Sequence, residues 1–264
     1  MMATNDTYTT QLQAGLGMVA ETLALLRVWE PGMLPSRLAE RAVEVGVFSR
    51  ATARRTRNLA TEMFAPRYLT SNGLAAERLQ CLVAHQAPPE AISQICFLYT
   101  ARAQRIFAEF VTEVFWPRYH ANAGSLSRKE AEAFVRFAMD SGRMTKRWAE
   151  STVKRVSGYL IGCCTDFGLL AEANRSDRII QRFRLRPDVA VYLAYDLHFA
   201  GLGSQAVVHS NDWRLFGLDI QEVIGVLKGV AQDGHLLVQS SGELVDIAWK
   251  YPSMKECLHA IAQG

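Results

Sequence analysis

The sequence predicts a mainly α protein with small β-wings. The expected architecture is a helical bundle holding two helix-turn-helix or winged-helix-like units and a further winged-helix-like unit at the C-terminal end. Three observations predict it. Apolar residues recur at three- and four-residue spacing through most of the 264 residues, the period of a helix with one buried face. Around residues 35–67 and 127–186, two helix-like stretches flank a glycine-containing turn, the outline of a helix-turn-helix. The few alternating stretches, RIIQRFRLR and HLLVQ…ELVDIAWKY, are short and follow helices directly. The expected segments are a helical domain over 1–120, a winged-helix-like domain over 121–200 with its wing at about 171–186, and a C-terminal unit over 201–264.

Thr7 to Trp29 reads as one amphipathic helix with Leu12, Leu16, Val19, Leu23 and Leu26 on a stripe, stopped by Glu30-Pro31-Gly32. Pro35 to Val45 is a short helix with Leu38, Ala42 and Val45 inward. Gly46 can take the left-handed C-terminal cap, and Ser49 is expected to cap the next helix. On that helix Ala53, Thr56, Ala60 and Met63 share the inner face. Arg50, Thr52, Arg54, Arg55, Arg57 and Asn58 make a polar, cationic outer side, with no acid between Ser49 and Ala60. Leu74 to His85 reads as a helix and Pro88-Pro89 opens another. Ala101 to Trp116 reads as a further helix with Ala103, Ile106, Phe107, Phe110, Val111 and Val114 on its apolar stripe, ended by Pro117. There Arg102 and Arg105 are expected to pair with Glu109, with contact to phosphate as the alternative.

Ser127 caps the next helix, whose Glu130 and Glu132 suit its N-terminus. Ser141-Gly142 turns the chain into a long helix from Lys146. Its expected inner stripe is Trp148, Thr152, Val156, Tyr159 and Cys163. Lys146, Arg147, Ser151, Lys154 and Arg155 lie toward its N-terminal, outward side. In the following strand Phe183 and Leu185 alternate with Arg182, Arg184 and Arg186, which puts three arginines on one face. Asp188 to Phe199 is a helix and 201–211 a loop. A helix starts at Leu218-Asp219, and a two-stranded hairpin turns at Ser241-Gly242.

The overall charge of +3 hides an asymmetry. Residues 1–187 hold 25 Lys/Arg against 17 Asp/Glu, a net of +8, and residues 188–264 hold 4 against 9, a net of −5. A basic part meets an anion, and an acidic part does something else. Arginine dominates the basic part, and its planar fork suits phosphates and guanine edges. The candidate DNA-binding residues are therefore Arg50, Thr52, Arg54, Arg55, Arg57, Asn58, Lys146, Arg147, Ser151, Lys154, Arg155, Arg182, Arg184 and Arg186.

No enzyme is expected. The six histidines show no HxxxH or HxH spacing for zinc, and no phosphate loop, nucleophile elbow or paired-carboxylate motif is present. No catalytic residue, metal or cofactor is expected. The five cysteines form no CxxC pair and are expected to be reduced and buried. Met1 to Gly15 lacks a basic start and an apolar run, so no signal peptide is expected. No window is apolar over the roughly 20 residues a membrane span needs. The expected location is the cytoplasm.

Four stretches, in this order, resemble the BrxA family of the bacteriophage-exclusion (BREX) defence systems: YTTQLQAGLGMVAETLALL, PSRLAERAVEVGVFSRATARRTRNLATEMFAPRYL, RIFAEFVTEVFWPRY and WAESTVKRVSGYLIGCCTDFGLL. The resemblance covers roughly residues 8–200 and rests on helix patterns. It implies a small, mostly helical, antiviral-defence protein with helix-turn-helix-like parts that binds double-stranded DNA. It also implies neighbours: a DNA methyltransferase, a phosphatase-like protein and ATPases. The family's description as an inner-membrane protein finds no spanning segment here. The expected partners are double-stranded DNA and other BREX proteins, with no membrane. The alternatives are a sequence-specific transcription regulator, an assembly subunit that binds defence proteins through its basic and acidic faces, and, as a lesser choice, an RNA binder.

Overall fold

The computed structural model describes residues 8–9, 17–144, 146–173, 177–242 and 244–263. The fold is mainly α, with two small antiparallel sheets. Contacts divide the chain into two compact units, and the division is not a single cut. One unit holds residues 1–77 and 96–183, the other residues 78–95 and 184–264. Among the described residues no helix is long and apolar enough to cross a membrane.

In the first unit, helix α1 spans Val19–Leu26. The expected helix from Thr7 does not reach it unbroken, because Met18 is left-handed (φ 46°). Leu12 and Leu16 lie outside the described residues. Helix α2 spans Pro35–Glu44, and Pro35 can open it because the first helical N–H has no partner in the helix anyway. Gly46 (φ 62°) then ends it as expected. The Val47 N–H donates to the Ala42 carbonyl and the Gly46 N–H to the Val43 carbonyl, the paired bonds of a Schellman cap.

Helix α3 spans Ala53–Asn58. A wider π turn, Leu59–Phe64, carries the rod on into α4, Ala65–Tyr68. The same construction recurs. After α5 (Leu74–Ala84) and α6 (Pro89–Ala103), Gln104 leaves helical geometry (φ −127°, ψ 85°). Then α7 (Arg105–Phe110) runs through a π turn, Val111–Phe115, into α8 (Trp116–His120). Both π turns precede a proline, Pro66 and Pro117. Proline cannot donate to the ladder, and its ring crowds the carbonyl four residues back. Widening the preceding turn relieves both problems. The residues match as well: Thr-Glu-x-Phe-x-Pro-Arg-Tyr stands at 61–68 and again at 112–119. Pro117 therefore does not end the helix, and the expected helix from Ala101 to Trp116 is broken at Gln104 instead.

The π turns also rotate the buried face. Phe115 is fully buried while Val114 is only half-buried, and Phe64 is buried beside Met63. Phe97 is buried and meets Phe107 and Phe167 edge-on, while the buried Phe110 ring meets Phe134 and the Phe115 ring meets Trp116.

The rest of this unit is a short strand β1 (Ser125–Ser127), helices α9 (Arg128–Asp140) and α10 (Glu150–Asp166), and strands β2 (Leu170–Glu172) and β3 (Asp177–Ile180). The sheet order is β1-β3-β2, all antiparallel, with Leu126 opposite Arg178 and Ala171 opposite Ile179. Ser127 and Glu130 cap α9 reciprocally in a capping box. Ala131, Phe134, Val135 and Ala138 of α9 are buried, as are Val153, Val156, Ser157 and Leu160 of α10, where the two helices pack.

In the second unit, α11 (Pro187–Phe199) is buried along nearly its whole length. Around it stand α12 (Ser204–Val208), a 3-10 turn at Asn211–Phe216, α13 (Ile220–Gln232), strands β4 (Leu236–Ser241) and β5 (Leu244–Trp249), and α14 (Met254–Gln263). Asp219 caps α13 with Glu222 in a second capping box. The expected loop over 201–211 is instead largely helical. Trp213 folds back into it, its indole N–H donating to the Val207 carbonyl at 2.8 Å. The β4–β5 hairpin turns where expected, with Gly242 left-handed (φ 61°).

Candidate nucleic-acid interface

The cationic residues of the first unit fall into two kinds. Many are held by carboxylates. Arg118 meets Glu130 at 3.0 Å, Arg128 meets Glu132 at 3.7 Å, and Arg136 meets Glu132 at 3.1 Å and also Glu150. Arg105 pairs with Glu109 at 2.6 Å, as expected from its spacing. Arg143 joins Glu109 and Glu113, and Tyr8 donates its hydroxyl to the same Glu109. Burial pushes the Glu109 carboxyl up. The hydrogen bonds from Tyr8 and Arg105, with the charges of Arg105 and Arg143, outweigh it and hold the group below its ordinary range. Burial and the bond to Glu109 push the Tyr8 hydroxyl up.

The second kind carries the interest. Arg50, Arg54 and Arg57 are exposed, and among the described residues no carboxylate lies within 4.0 Å of them. The turn that presents them is built differently from the expectation. Thr52, not Ser49, caps α3, its hydroxyl accepting from the Arg55 N–H at 3.2 Å. Thr52 can do so because its backbone is extended, while Ser49 and Arg50 lie in the turn before the helix. Arg50 therefore sits on that turn rather than on the helix. Thr56, Leu59, Ala60 and Met63 form the buried side; Ala53, expected there, is exposed. Arg55 and Asn58 are half-buried, and Arg55 rests against the Met18 sulfur at 3.9 Å.

On α10 the expectation holds for the outward side and fails for the inward one. Ser151, Lys154 and Arg155 are exposed. Ser157 and Leu160, rather than Thr152 and Tyr159, share the buried stripe with Val153 and Val156, because the helix begins at Glu150 and not at Lys146. Lys146 and Arg147 lie before the helix, both exposed, and Arg147 pairs with Asp140 at 3.1 Å. The guanidinium of Arg128 donates to the Lys154 carbonyl at 2.7 Å. That bond ties α9 to the turn of α10 that carries Lys154 and Arg155.

The basic strand is not present. Strand β3 stops at Ile180, and 181–186 is an irregular segment. Backbone groups that a strand would have paired find other partners. The Phe183 carbonyl accepts from the Tyr119 hydroxyl at 3.4 Å, and the Phe183 ring is buried against Phe97 and Trp116. The Gln94 amide spans the next stretch, donating to the Arg184 carbonyl at 2.8 Å and accepting from the Arg186 N–H at 3.1 Å. Arg182 and Arg184 stay exposed, with no carboxylate within 4.0 Å among the described residues. Arg186 is bound to Asp188 at 2.9 Å and serves the start of α11. The wing proper is the β2–β3 hairpin, whose Arg178 faces Glu172 at 3.9 Å; Arg175 lies outside the described residues.

The cysteines offer no reactive thiol in the first unit. Cys96, Cys163 and Cys164 are unpaired and buried, and burial pushes the Cys96 and Cys163 thiols up to about 12. A protein-family model described as BrxA matches residues 6–196 of the chain. No curated protein sequence matches it.

Proposed function

The chain belongs to the BrxA family of the bacteriophage-exclusion (BREX) phage-defence systems, and from that premise we infer that it is a non-enzymatic, double-stranded DNA-binding component of such a system. One observation carries the reading. Arg50, Arg54, Arg57, Lys154, Arg155 and Arg182, all in the first unit, are exposed cations with no carboxylate within 4.0 Å among the described residues, in a chain whose other arginines are largely ion-paired. An unpaired surface cation gives up no carboxylate when it meets a phosphate, whereas a paired one must exchange partners.

Two helix pairs, α2 with α3 and α9 with α10, present Arg50, Arg54, Arg57, Lys154 and Arg155, while Arg182 lies on the irregular segment after β3. Each has a short helix, a turn and a second helix with cations at its N-terminal end, and the second is followed by the β2–β3 hairpin. This is the outline of helix-turn-helix units that place the second helix in the major groove. Phosphate contacts give affinity without reading sequence, so the reading is of largely electrostatic binding. A gel-shift salt titration on random duplex tests it. Six to eight neutralised phosphates give a log–log slope of about −5 to −7, and about a 10³- to 10⁴-fold loss between 50 and 200 mM salt. A salt-independent shift, or none in dilute buffer, overturns the reading.

A second reading rests on charge in the other unit. Residues 188–264 carry a net −5, a poor match for DNA and a good one for a basic face on another BREX protein. A pull-down that survives nuclease treatment, from a protein with no affinity for bare duplex, favours assembly as the primary role.

A further inference from the structure

Outside the cationic surface, one cluster of metal-binding side chains stands in the second unit. Cys81 and His85 lie four residues apart, Cys81 on α5 and His85 directly after it. That spacing stacks them on one side of a helical turn. His259, on α14, completes the group. One ligand atom from each lies within 4.8 Å of those from the other two. The Cys81 Sγ is 3.7 Å from the His85 Nδ1, and the two imidazole centroids are 4.3 Å apart at an interplanar angle of 38°. Cys81 and His259 are half-buried and His85 is exposed.

We propose that Cys81, His85 and His259 form a three-ligand site for a zinc-class divalent ion, with the fourth position open to water. The donor set is one thiolate and two imidazoles, which suits zinc rather than the hard, oxygen-seeking magnesium or calcium. Zinc sites with three protein ligands and a water in the fourth position are a known arrangement, at about 2.3 Å to sulfur and 2.0–2.1 Å to nitrogen. Such a tetrahedron has edges of roughly 3.5 Å, so the group closes around an ion by a small rotation of side chains that are not fully buried.

The ring of His85 is already oriented. Its Nδ1 lies 2.8 Å from the Cys81 carbonyl. A carbonyl only accepts, so Nδ1 carries the proton, and Nε2 keeps the lone pair and is the ligating atom; the 3.7 Å approach of Sγ to Nδ1 marks proximity and is not an edge of the tetrahedron. The bond to the carbonyl is the backbone support that ligating histidines commonly have. Binding is a proton exchange: the Cys81 thiol loses its proton to solvent, and the sulfur's electron pair goes to the ion. Burial holds the Cys81 thiol above its ordinary value and the charge of Lys255 offsets this only in part, so the ion itself supplies the charge that holds the thiolate. The consequence is structural. The ion clamps the turn after α5 to the last helix of the chain, and closing so long a loop is where a metal clip does most for stability.

The test uses the full-length protein, stripped with chelator and titrated with Zn²⁺ by calorimetry and with Co²⁺ by absorption. The expected result is one equivalent of Zn²⁺ per chain, and a Co²⁺ spectrum with a thiolate-to-cobalt charge-transfer band and tetrahedral d–d intensity. Cys81→Ser, His85→Ala and His259→Gln should each weaken Zn²⁺ binding by more than about 100-fold, beyond the 10–100-fold that outer-shell changes cost. Cys81→Ser should also abolish the charge-transfer band. Circular dichroism of each stripped variant, compared with the stripped wild type, shows that the fold is intact. No stoichiometric binding by the wild type, or wild-type affinity in any one folded variant, overturns the proposal.

Discussion

Arg78 of α5 and Asp196 of α11 form an ion pair whose side chains are only 15% and 10% exposed. The pair joins residues 78–95 to the C-terminal stretch within one unit. Breaking such a pair by removing one partner strands a charge away from water, at a cost of about 3–5 kcal/mol. Asp196→Ala and Arg78→Ala should each lower urea stability by about that amount. A double replacement by apolar residues of similar volume should recover most of it. Additive losses in a double-mutant cycle would show that the two side chains do not act as a pair.

Glu109 makes stability depend on acid. Its carboxyl is held below the ordinary range by Tyr8, Arg105 and Arg143 against the opposing effect of burial. A depressed carboxyl stabilises the fold above its unfolded value of about 4.3 and loses that contribution as pH falls through the folded value. Glu109→Gln should therefore be less stable than wild type by about 2 kcal/mol at pH 7. The gap should close as both proteins are acidified below pH 4. A gap that persists unchanged at pH 3 would contradict the assignment.

The two cationic helices can be weighed separately. Arg54→Glu/Arg57→Glu and Lys154→Glu/Arg155→Glu should each weaken duplex binding and flatten the salt slope by about 2, as expected for two lost phosphate contacts. Arg147→Glu changes a cation already paired with Asp140 at 3.1 Å and should do much less. Fluorescence anisotropy over a salt series measures all three. Equal losses from all three variants would mean that net charge alone, and not the two helices, governs binding.

The π turns set which residues are core. Phe115 is fully buried and Val114 only half-buried. Phe115→Ala should cost about 3–5 kcal/mol, and Val114→Ala about 1 kcal/mol or less. Chemical denaturation of the two variants reads the difference directly, and equal losses would place the buried face where an unbroken α-helix would put it.

This last pair shows where the sequence is legible and where it is not. Local chemistry reads well. The Gly46 cap, the Ser127 cap, the helix start at Asp219 and the Ser241-Gly242 hairpin each depend on residues within one turn of each other and are where the sequence predicts them, while the cap expected at Ser49 falls to Thr52. Register across a widened turn does not read. A 3.6-residue period assumes an unbroken ladder, so it places Val114 inward and misses Phe115. The basic strand failed for a different reason. Its alternation is real, but Gln94 and Tyr119 take the backbone groups of 183–186, and neither is near in sequence. Helix α14 was not anticipated at all, and without it Cys81 and His85 are an unremarkable pair whose third companion stands at the far end of the chain. The exposed cations were legible because the local absence of acids around 49–60 is a property of the sequence itself.

The interleaving of the two units bears on how the protein tolerates damage. Residues 78–95 sit in the middle of the chain yet belong with 184–264. A stop codon after Phe183 would leave that inner segment without the chain it packs on, Arg78 having lost Asp196. A fragment starting at Arg184 would lack Gln94 and Arg78 in turn. No single scission yields two intact bodies, and a frameshift between Glu77 and Phe183 removes part of both units at once, whereas one beyond Phe183 removes part of the second alone. The family likeness, ending at residue 196 inside α11, therefore stops short of a piece that could stand alone.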